Sequence, residues 1–549
     1  MLRARVVLDK DFAVGTVDPR LFGGFVEHLG RCVYEGMYEP DHPTADADGF
    51  RTDVMELVGE LNMSVMRYPG GNFVSGYNWE DGIGSKGGRP HKLDLAWHSP
   101  EAASLRPAAD LETNQVGTNE FIVWCKKIHA EPMLAVNLGT RGPEAARNLV
   151  EYCNYPGGTY WSDQRKSHGY PEPHKVKLWC LGNEMDGPWQ MCRKTAAEYG
   201  RIACETAKLM KWTDPSIELA VCGSSARWVP TFPAWESEVL EHCFDHVEYV
   251  SVHTYLDNPS SDTPEYLAKP DLMGQFIDEV VATCDYVAAK RRSTKRIQLS
   301  FDEWNVWTQY HSPRNEEKAD EWPVAPHLLE DIYSMEDALV VGGMLIALLN
   351  PEAASLRPAA DHADRVKIGC LAQVVNVIAP IMTKKGGPAR RRLPCVQPPT
   401  WRQTIFYPFA HASNYGRGAV LRQVIDSPVY DTKEGQAAPY YAGASMFDPE
   451  NGALTVFCVN RSLSEPLEIA VDLRGFDAFQ VTEWITLRHD DLKAVNTCDH
   501  PDTVKPTRAS GAVVNKGNLT AVLSPASRRR LPCVQPPTWN VIRLLPKGK

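Results

Sequence analysis

The sequence lacks any apolar stretch long enough to cross a lipid bilayer. The longest apolar run, ALVVGGMLIALL at 338–349, is shorter than the roughly 20 residues that a membrane-spanning helix needs. The opening residues MLRARVVLDKDFAVG contain no apolar core of the signal-peptide kind. We therefore expect a cytoplasmic protein that does not bind a membrane.

Excess positive charge and closely spaced cysteines are also missing. The chain has 58 Lys and Arg against 69 Asp and Glu, a net charge of −11, which disfavours nucleic acid as a partner. Its 14 cysteines are scattered and form no CxxC pair, so we expect neither a disulfide framework nor a metal site, and no cofactor. A 549-residue chain with 43% hydrophobic residues predicts a large domain and a second one.

Short apolar segments alternate with stretches of helical period between about residues 20 and 375. The candidate strands are 21–30, 65–71, 132–139, 177–184, 218–224, 249–255, 297–304 and 366–373. Clear helical periodicity lies between them, at 195–212 and 272–292. Because no glycine-rich phosphate loop follows the first strand, eight such units favour a closed (β/α)8 TIM barrel over a dinucleotide-binding sheet.

After about residue 405 the pattern changes to strands without a long helix. The segments 452–462, 467–473, 479–487 and 539–545 alternate with turns and predict a jelly-roll-like β-sandwich, to which the early RARVVLD is expected to pair. We predict a catalytic barrel at 18–405 and a sandwich domain made of 1–17 and 406–549.

Two undecapeptides occur twice without a single difference. PEAASLRPAAD stands at 100–110 and 351–361, and RRRLPCVQPPT at 390–400 and 528–538. Structural repeats diverge, so we interpret the four copies as insertions into loops, which cost about 1 kcal/mol of closure entropy each. The first copy begins three residues after Trp97, and we expect it to affect which leaving group is accepted. We expect the copy at 390 to approach the barrel mouth. The copy at 351 precedes the last strand, on the opposite face, and is expected to have no effect on function.

Hydrogen-bonding residues stand where the predicted strands end. In chain order they are Glu27 and His28, Arg67 and Asn72, Asn137, Asn183 and Glu184, His253 and Tyr255, Asp302 and Glu303, and Gln373. The carboxyl ends of barrel strands meet at one mouth, and polar groups beside tryptophans such as Trp97 suit a sugar. Two glutamates after strands four and seven are typical of glycoside hydrolases, which retain configuration when the carboxyl groups lie about 5 Å apart.

Several motifs resemble one family over nearly the whole chain outside the undecapeptides. FVEHLGR, RYPGGNFVSGYNWEDG, AVNLGTRG, GNEMDGPWQ, SFDEWNVW and WRQTIFYPF are similar to the intracellular α-L-arabinofuranosidases of glycoside hydrolase family 51. The resemblance implies a retaining, exo-acting enzyme that removes terminal arabinofuranose from arabinoxylan or arabinan oligosaccharides. It also implies a homo-oligomer, commonly a hexamer.

The same resemblance assigns roles to individual residues. Glu184 is expected to be the acid/base, with a raised pKa, and Glu303 the nucleophile. Asn183 is expected to hold the 2-hydroxyl and Tyr255 to bond the nucleophile. The remaining expected sugar contacts and supports are Glu27, Arg67, Asn72, Trp97 and Gln373.

Other interpretations remain open from the sequence. Strand alternation lets only one of Asp302 and Glu303 face the mouth, and the family pattern, not the spacing, selects Glu303. We interpret His28 and His253 as scaffold residues, and Trp304 and Trp307 equally as packing or sugar contacts. A β-xylosidase, an endoglucanase, or a catalytically impaired carbohydrate-binding protein are the alternative functions.

Overall fold

A parallel barrel forms the central part of the computed structural model, which describes residues 1–97, 110–308, 324–349, 362–386, 400–433, 435, 437–523 and 536–548. Within these residues eight strands close into the barrel, each hydrogen-bonded to its sequence neighbours and the last to the first. Strands one to eight are Gly23–Phe25, Val65–Tyr68, Glu131–Ala135, Leu178–Leu181, Glu218–Cys222, Tyr249–Leu256, Gln298–Val306 and Val366–Ala372. Each overlaps one of the predicted segments and departs from its bounds by at most two residues where it extends beyond them, so the predicted TIM barrel is confirmed.

The barrel strands are apolar on both sides because both sides are covered. On strand four, Leu178 and Cys180 point inwards to a compact cluster with the corresponding residues of the other strands. Their neighbours Trp179 and Leu181 belong to the larger core between strands and helices. This double burial explains why the strands read as continuous apolar runs rather than as an alternating pattern.

Helices fill the connections and surround the barrel. They are Thr52–Leu61, Thr118–Lys127, Pro143–Asn154, Tyr160–Ser167, Ala196–Thr213, Ala234–Cys243, Thr263–Ala268, Pro270–Lys290, Met335–Leu349, His362–Arg365 and Phe406–Tyr415. The two predicted at 195–212 and 272–292 are present within two residues. Thr195 and Glu198 form a capping box that fixes the start of the first of these, with Thr195 N donating to the Glu198 carboxylate at 2.9 Å.

A ten-stranded sheet makes up the second part of the fold among the described residues. Its strands, in spatial order, are Thr507–Arg508, Phe479–Leu487, Thr538–Pro546, Ala453–Asn460, Tyr441–Asp448, Ala419–Asp426, Leu2–Thr16, Leu467–Arg474, Asn518–Leu523 and Val513–Asn515. Ile469 and Val471 from one half share a core with Val456 and Ile542 from the other, which is the packing of a sandwich. The N-terminal strand pairs within this sheet, as predicted.

Three two-stranded sheets complete the described strands. They pair Lys92–Leu93 with Leu111–Glu112, Ile381–Thr383 with Thr400–Arg402, and Val429–Asp431 with Ala437–Pro439. The first lies directly beside Trp97. It therefore holds the start of the segment that carries this predicted pocket residue.

The longest apolar run forms the fully buried helix Met335–Leu349, between the barrel and the ten-stranded sheet. A Cβ at Gly342 would lie 2.6 Å from the Trp539 ring, so only glycine lets the sheet approach this closely. Double coverage explains the absence of a polar face on the helix. Across the described residues, no helix combines the length and the apolar character that crossing a membrane requires.

After about residue 405 the sequence predicted strands without a long helix, and the structure adds the ten-residue helix Phe406–Tyr415. Phe409 stacks on Trp304 with ring centroids 6.3 Å apart and meets Phe22 edge-on at 6.5 Å. Pro408 stands in the first turn, where a missing backbone N–H costs little. The contacts attach this helix to the barrel, and they make Trp304 a packing residue.

The four undecapeptides lie almost wholly outside the described residues. Their described ends join regular structure: Asp110 accepts a hydrogen bond from Asp94 N at 2.8 Å, Thr400 pairs with Thr383, and Thr538 pairs with Asn460. The predicted effects of the copies at 100, 351 and 390 fall on residues that the structure does not describe. They remain predictions.

Candidate active site

A cavity of about 720 Å³ opens at the carboxyl ends of the barrel strands. Its lining includes seven of the nine residues predicted for the site, namely Glu27, Asn72, Trp97, Glu184, Tyr255, Glu303 and Gln373. The other two, Arg67 and Asn183, are buried and hydrogen-bonded to each other at 2.7 Å. The structure thus brings the predicted residues into one place.

Glu184 reaches the cavity because the chain turns sharply after strand four. Gly182 has φ +96° and Glu184 itself has φ +44°, a left-handed conformation that costs a non-glycine residue free energy and is often found at functional sites. Trp189 Nε1 donates to Glu184 Oε2 at 2.5 Å, and His253 Nδ1 lies 2.8 Å from Oε1. The carboxyl group is therefore fixed on both oxygens.

Glu303 lies on strand seven and faces Glu184 across the cavity. Arg67 Nη1 donates to Glu303 Oε1 at 2.6 Å, and the Tyr255 hydroxyl donates to Oε2 at 2.9 Å. One oxygen of Glu184 and one of Glu303 lie within 4.8 Å of each other. This separation is the one found in retaining glycosidases, whereas inverting enzymes need about 6.5–9.5 Å.

Strict alternation on strand seven is not followed, so Asp302 and Glu303 both turn towards the barrel interior. Between Ser300 and Glu303 the strand advances three residues while strand six advances two, from Ser251 to His253. The extra residue is a β-bulge, a feature that re-aims side chains. The sequence argument expected only one of the two carboxylates to face the mouth: Glu303 lines the cavity, whereas Asp302 is fully buried below it.

Asp302 lies beneath the cavity floor as a charge partner. It accepts a hydrogen bond from Ser251 at 2.5 Å and lies 3.6 Å from Arg67 Nε. Burial opposes the charged form, but Arg67, His253 and Ser251 lower the pKa of Asp302 to about 2. Asp302 is thus a fixed anion that holds Arg67 and His253 under Glu303.

His253, interpreted from the sequence as a scaffold residue, lies among the three carboxylates of the site. Its Nδ1 lies 2.8 Å from Glu184 and 3.5 Å from Glu303, and its Nε2 lies 3.2 Å from Asp302. Its position two residues before Tyr255 on strand six was the available signal, because residues two apart share a face. Burial lowers its pKa, but the carboxylates of Glu303, Asp302 and Glu184 outweigh this and raise it to about 10.

This raised pKa predicts a pH-dependent cost for removing the imidazole. The folded pKa of about 10 exceeds the ordinary 6.5, so the stabilisation is complete below pH 6.5 and is lost as the pH rises towards 10. We expect His253→Gln to lower the melting temperature most below pH 6.5 and progressively less towards pH 10. In His174, burial lowers the pKa to about 3, so this imidazole is neutral from pH 6.5 to pH 10 and His174→Gln should cost the same across that range. A constant cost for His253→Gln would contradict the charge network.

Glu27 forms part of the wall of the cavity. It accepts hydrogen bonds from Phe73 N at 2.9 Å, Gln373 Nε2 at 3.2 Å and Trp97 Nε1 at 3.3 Å. Burial, with the nearby negative charge of Glu303, raises its pKa well above the ordinary value. These three hydrogen bonds hold the Glu27 carboxyl group at the cavity wall, where it can bind a sugar hydroxyl.

The turn after strand two leaves no room beside Glu27. A Cβ at Gly71 would lie 2.7 Å from Glu27 Oε2 and 2.9 Å from Oε1. We expect Gly71→Ala to displace this carboxyl group and weaken substrate binding, raising KM about tenfold with a smaller change in kcat. Gly88→Ala is the matched control, because an added Cβ there meets no atom within 4 Å. An unchanged KM for Gly71→Ala would argue against a substrate-binding role for Glu27.

Other predicted strand-end residues are structural. His28 Nδ1 lies 2.7 Å from Glu112, and Asn137 Oδ1 accepts backbone hydrogen bonds from Gly139 and Thr140 at 3.0 Å. Both hold loops rather than line the cavity. Trp307, by contrast, lines the cavity and packs edge-on against Tyr255, which favours the sugar-contact role for it.

Glu184, His253 and Glu303 each offer an atom within 4.8 Å of the others, a spacing that a metal ion could use. A metal ligand must be unprotonated, and the three surrounding carboxylates hold a proton on His253. The imidazolium and Arg67 already neutralise the local carboxylates. The donor set therefore fits a charge network better than a metal centre.

Comparison with known proteins identifies the family. A family model described as Alpha-L-arabinofuranosidase 1 domain matches residues 57–272, and one described as Alpha-L-arabinofuranosidase C-terminal domain matches residues 302–527. A solved family 51 α-L-arabinofuranosidase from Bifidobacterium longum is 40% identical, covers 99% of both chains and superposes with a TM-score of 0.86. The chain belongs to glycoside hydrolase family 51.

Two further relatives agree with this membership. The intracellular exo-α-(1→5)-L-arabinofuranosidase 1 of Bacillus subtilis (strain 168) is 53% identical over 544 residues, which covers 99% of both chains. The solved α-L-arabinofuranosidase of Thermotoga maritima in complex with arabinose is 30% identical, with a TM-score of 0.80 and coverage of 98% of this chain and 99% of that one. Family 51 membership makes this protein a glycoside hydrolase.

Proposed function

We infer that this protein is an exo-acting, retaining α-L-arabinofuranosidase that uses Glu184 as acid/base and Glu303 as nucleophile. The observation that carries the inference is the pair of carboxylates within 4.8 Å across one cavity. Family membership supports the activity. The alternatives, a β-xylosidase, an endoglucanase or a catalytically impaired binding protein, are not favoured, since no feature of the cavity selects them.

In the first step Glu303 attacks the anomeric carbon while Glu184 gives its proton to the departing glycosidic oxygen. The C–O bond to the leaving group breaks, and an ester bond forms between the sugar and Glu303. Arg67 and Tyr255 hold the attacking carboxylate with one hydrogen bond on each oxygen, which fixes its direction. In the second step Glu184 takes a proton from water, and this water displaces Glu303 with a second inversion.

His253 supports both steps without reacting. Its Nδ1 faces the oxygens of both catalytic carboxylates, so a positive charge stays beside them as negative charge moves from Glu303 to Glu184. Such a fixed charge in a buried site stabilises the developing charges without reorganisation. We assign it a positioning and electrostatic role.

The sugar contacts follow from the lining of the cavity. We propose that Asn183 binds the 2-hydroxyl, because Arg67 holds both Glu303 and Asn183 Oδ1. The Asn183 amide nitrogen donates to Gln190 Oε1 at 3.3 Å and has a second N–H to offer. Glu27, Asn72 and Gln373 bind other hydroxyls, and Trp97 covers part of the ring. This assignment rests on hydrogen-bonding capacity and position.

The substrate is proposed from the relatives. Those from Bacillus subtilis and Acetivibrio thermocellus are named intracellular exo-α-(1→5)-L-arabinofuranosidases, and one from Bifidobacterium longum is named an exo-α-(1→6) enzyme. The first two are 53% and 50% identical and the third 45%. We propose α-(1→5)-linked arabino-oligosaccharides as substrates, a role in arabinan degradation, and an intracellular location.

Two organisational proposals accompany this function. The division into a barrel at 18–405 and a sandwich of 1–17 and 406–549 is proposed with one adjustment: helix Phe406–Tyr415 is counted with the barrel, because Phe409 packs on Trp304. A homo-oligomer, specifically a hexamer, is proposed from the family resemblance. Mass photometry tests it, with a single hexameric mass expected and a monomeric mass contradicting it.

The reaction course has a direct test. Proton NMR of the first turnovers on an aryl α-L-arabinofuranoside will detect α-arabinofuranose before mutarotation produces the other forms, because two inversions restore the starting configuration. β-Arabinofuranose as the first product would require a single displacement by water. That outcome would overturn the nucleophile role of Glu303 while leaving the hydrolase activity intact.

A further inference from the structure

Two exposed tryptophans stand at the cavity mouth: Trp189, which holds Glu184, and Trp228, which has no role in the mechanism above. Trp189 and Trp228 both line the cavity, and they are 42% and 74% exposed. A tryptophan with three quarters of its surface in water stabilises a fold little, because burial is the source of its free energy contribution. Trp228 therefore calls for another explanation.

The loop that carries Trp228 is held firmly on both sides of the ring. Ser225 N donates to Asp186 Oδ2 at 3.1 Å, and the Ser225 hydroxyl donates to the same oxygen at 3.1 Å. Arg227 makes two hydrogen bonds to Glu279, at 2.7 and 2.8 Å. Val229, directly after Trp228, is buried.

This arrangement keeps an apolar ring in water at a fixed place. A loop that simply connected two elements would need no such anchors around an exposed aromatic residue. Fixing the ring in advance lowers the entropy cost of binding something against it.

The two rings extend the cavity outwards from the acid/base. Trp189 donates to Glu184, which protonates the leaving oxygen, so it marks the leaving-group side of the site. Trp228 lies beyond it, with ring centroids 5.9 Å apart and planes tilted by 46°. Because the rings are tilted rather than stacked, apolar ring surface stays available at the mouth.

We propose that Trp228 binds the second sugar of the leaving group, counted outwards from the bond that is cleaved. The apolar C–H face of a pentose ring suits an exposed indole, and the sugar is neutral, so no charged partner is needed. The cavity of about 720 Å³ is of the size that holds drug-sized ligands and exceeds one pentose. The inference rests on the proposed function, because it takes Glu184 as the leaving-group side.

The consequence is a preference for longer linear substrates. A trisaccharide places one sugar at the reacting centre, one beside Trp189 and one on Trp228. A disaccharide or an aryl glycoside does not reach Trp228. The contact therefore contributes to kcat/KM only when a third ring is present.

The test compares kcat/KM of the full-length enzyme and its variants on three substrates: 4-nitrophenyl α-L-arabinofuranoside, α-(1→5)-arabinobiose and α-(1→5)-arabinotriose. We expect Trp228→Ala to lower kcat/KM on the triose about 3- to 10-fold, the size of one aromatic contact, and to change the other two less than about twofold. Trp228→Phe should recover most of the loss. Trp212→Ala is the matched control, because Trp212 is also 74% exposed but lies at the end of helix Ala196–Thr213, on the other face of the barrel.

Three results would overturn the inference. They are no loss on the triose, an equal loss on the biose and the triose, and a loss for Trp212→Ala as large as that for Trp228→Ala. Failure of the underlying function is distinguishable, because the unmodified enzyme would then hydrolyse none of the three substrates. If the unmodified enzyme hydrolyses the aryl glycoside and any of these three results is found, the Trp228 contact is rejected while the proposed function stands.

Discussion

Replacing Glu303 by Gln will lower kcat by about 10⁴-fold or more on every arabinofuranoside, because an amide cannot form the glycosyl ester. Arg67 and Tyr255 donate to separate oxygens of the native carboxylate, at 2.6 and 2.9 Å. The amide oxygen can still accept from Arg67, and the Tyr255 hydroxyl can turn to accept from the amide nitrogen. The loss should therefore appear in kcat, with the fold and the cavity preserved. Steady-state kinetics on an aryl and an oligosaccharide substrate measure it.

Melting temperature provides the control for this substitution. Glu303→Gln removes one negative charge beside Arg67, but Asp302 remains 3.6 Å from Arg67 Nε and keeps the buried cation paired. We expect a change of about 2 kcal/mol or less in the free energy of unfolding. Residual activity above about one per cent in a folded variant would contradict the nucleophile assignment.

Replacing Glu184 by Ala will separate substrates according to their leaving group. A dinitrophenolate departs without a proton, so formation of the glycosyl enzyme should continue, whereas oligosaccharide hydrolysis should fall by about 10²- to 10⁴-fold. The second step also loses its base, so the intermediate should accumulate. Added azide needs no base and should restore turnover, giving an arabinosyl azide of retained configuration.

The comparison of substrates is the control for this second prediction. Damage to the cavity would reduce activity on the aryl and the oligosaccharide substrate alike. Equal losses on both, with no rescue by azide, would show that Glu184 is structural. An arabinosyl azide of inverted configuration would instead indicate that Glu184 is the nucleophile and Glu303 the acid/base.

Much of the fold was predictable because barrel strands are buried on both sides. Apolar runs such as that ending in Leu181 stand out against the helical period of 195–212, and each of the eight predicted segments overlaps a barrel strand. Strand ends were equally informative, since parallel strands bring their carboxyl ends together. Thus Glu184 and Glu303, more than a hundred residues apart, could be placed in one site.

What the sequence could not supply depends on local geometry and on tertiary contacts. The bulge before Glu303 turns Asp302 inwards as well, and no residue in this segment predicts a bulge. The sequence does not distinguish His253 from other histidines at strand ends, because the three carboxylates around it come from other positions in the chain. Trp228 lies in a loop, where sequence periodicity gives no information about which cavity it borders.

The central claim, that Glu303 bonds to the anomeric carbon, has one most direct test. The Glu184→Ala enzyme is mixed with a dinitrophenyl α-L-arabinofuranoside, quenched in acid and digested, and its peptides are analysed by mass spectrometry. The account predicts a single added pentosyl group, on Glu303 in the peptide that contains SFDEWNVW. A pentosyl group on Asp302, or on any other residue, would contradict it.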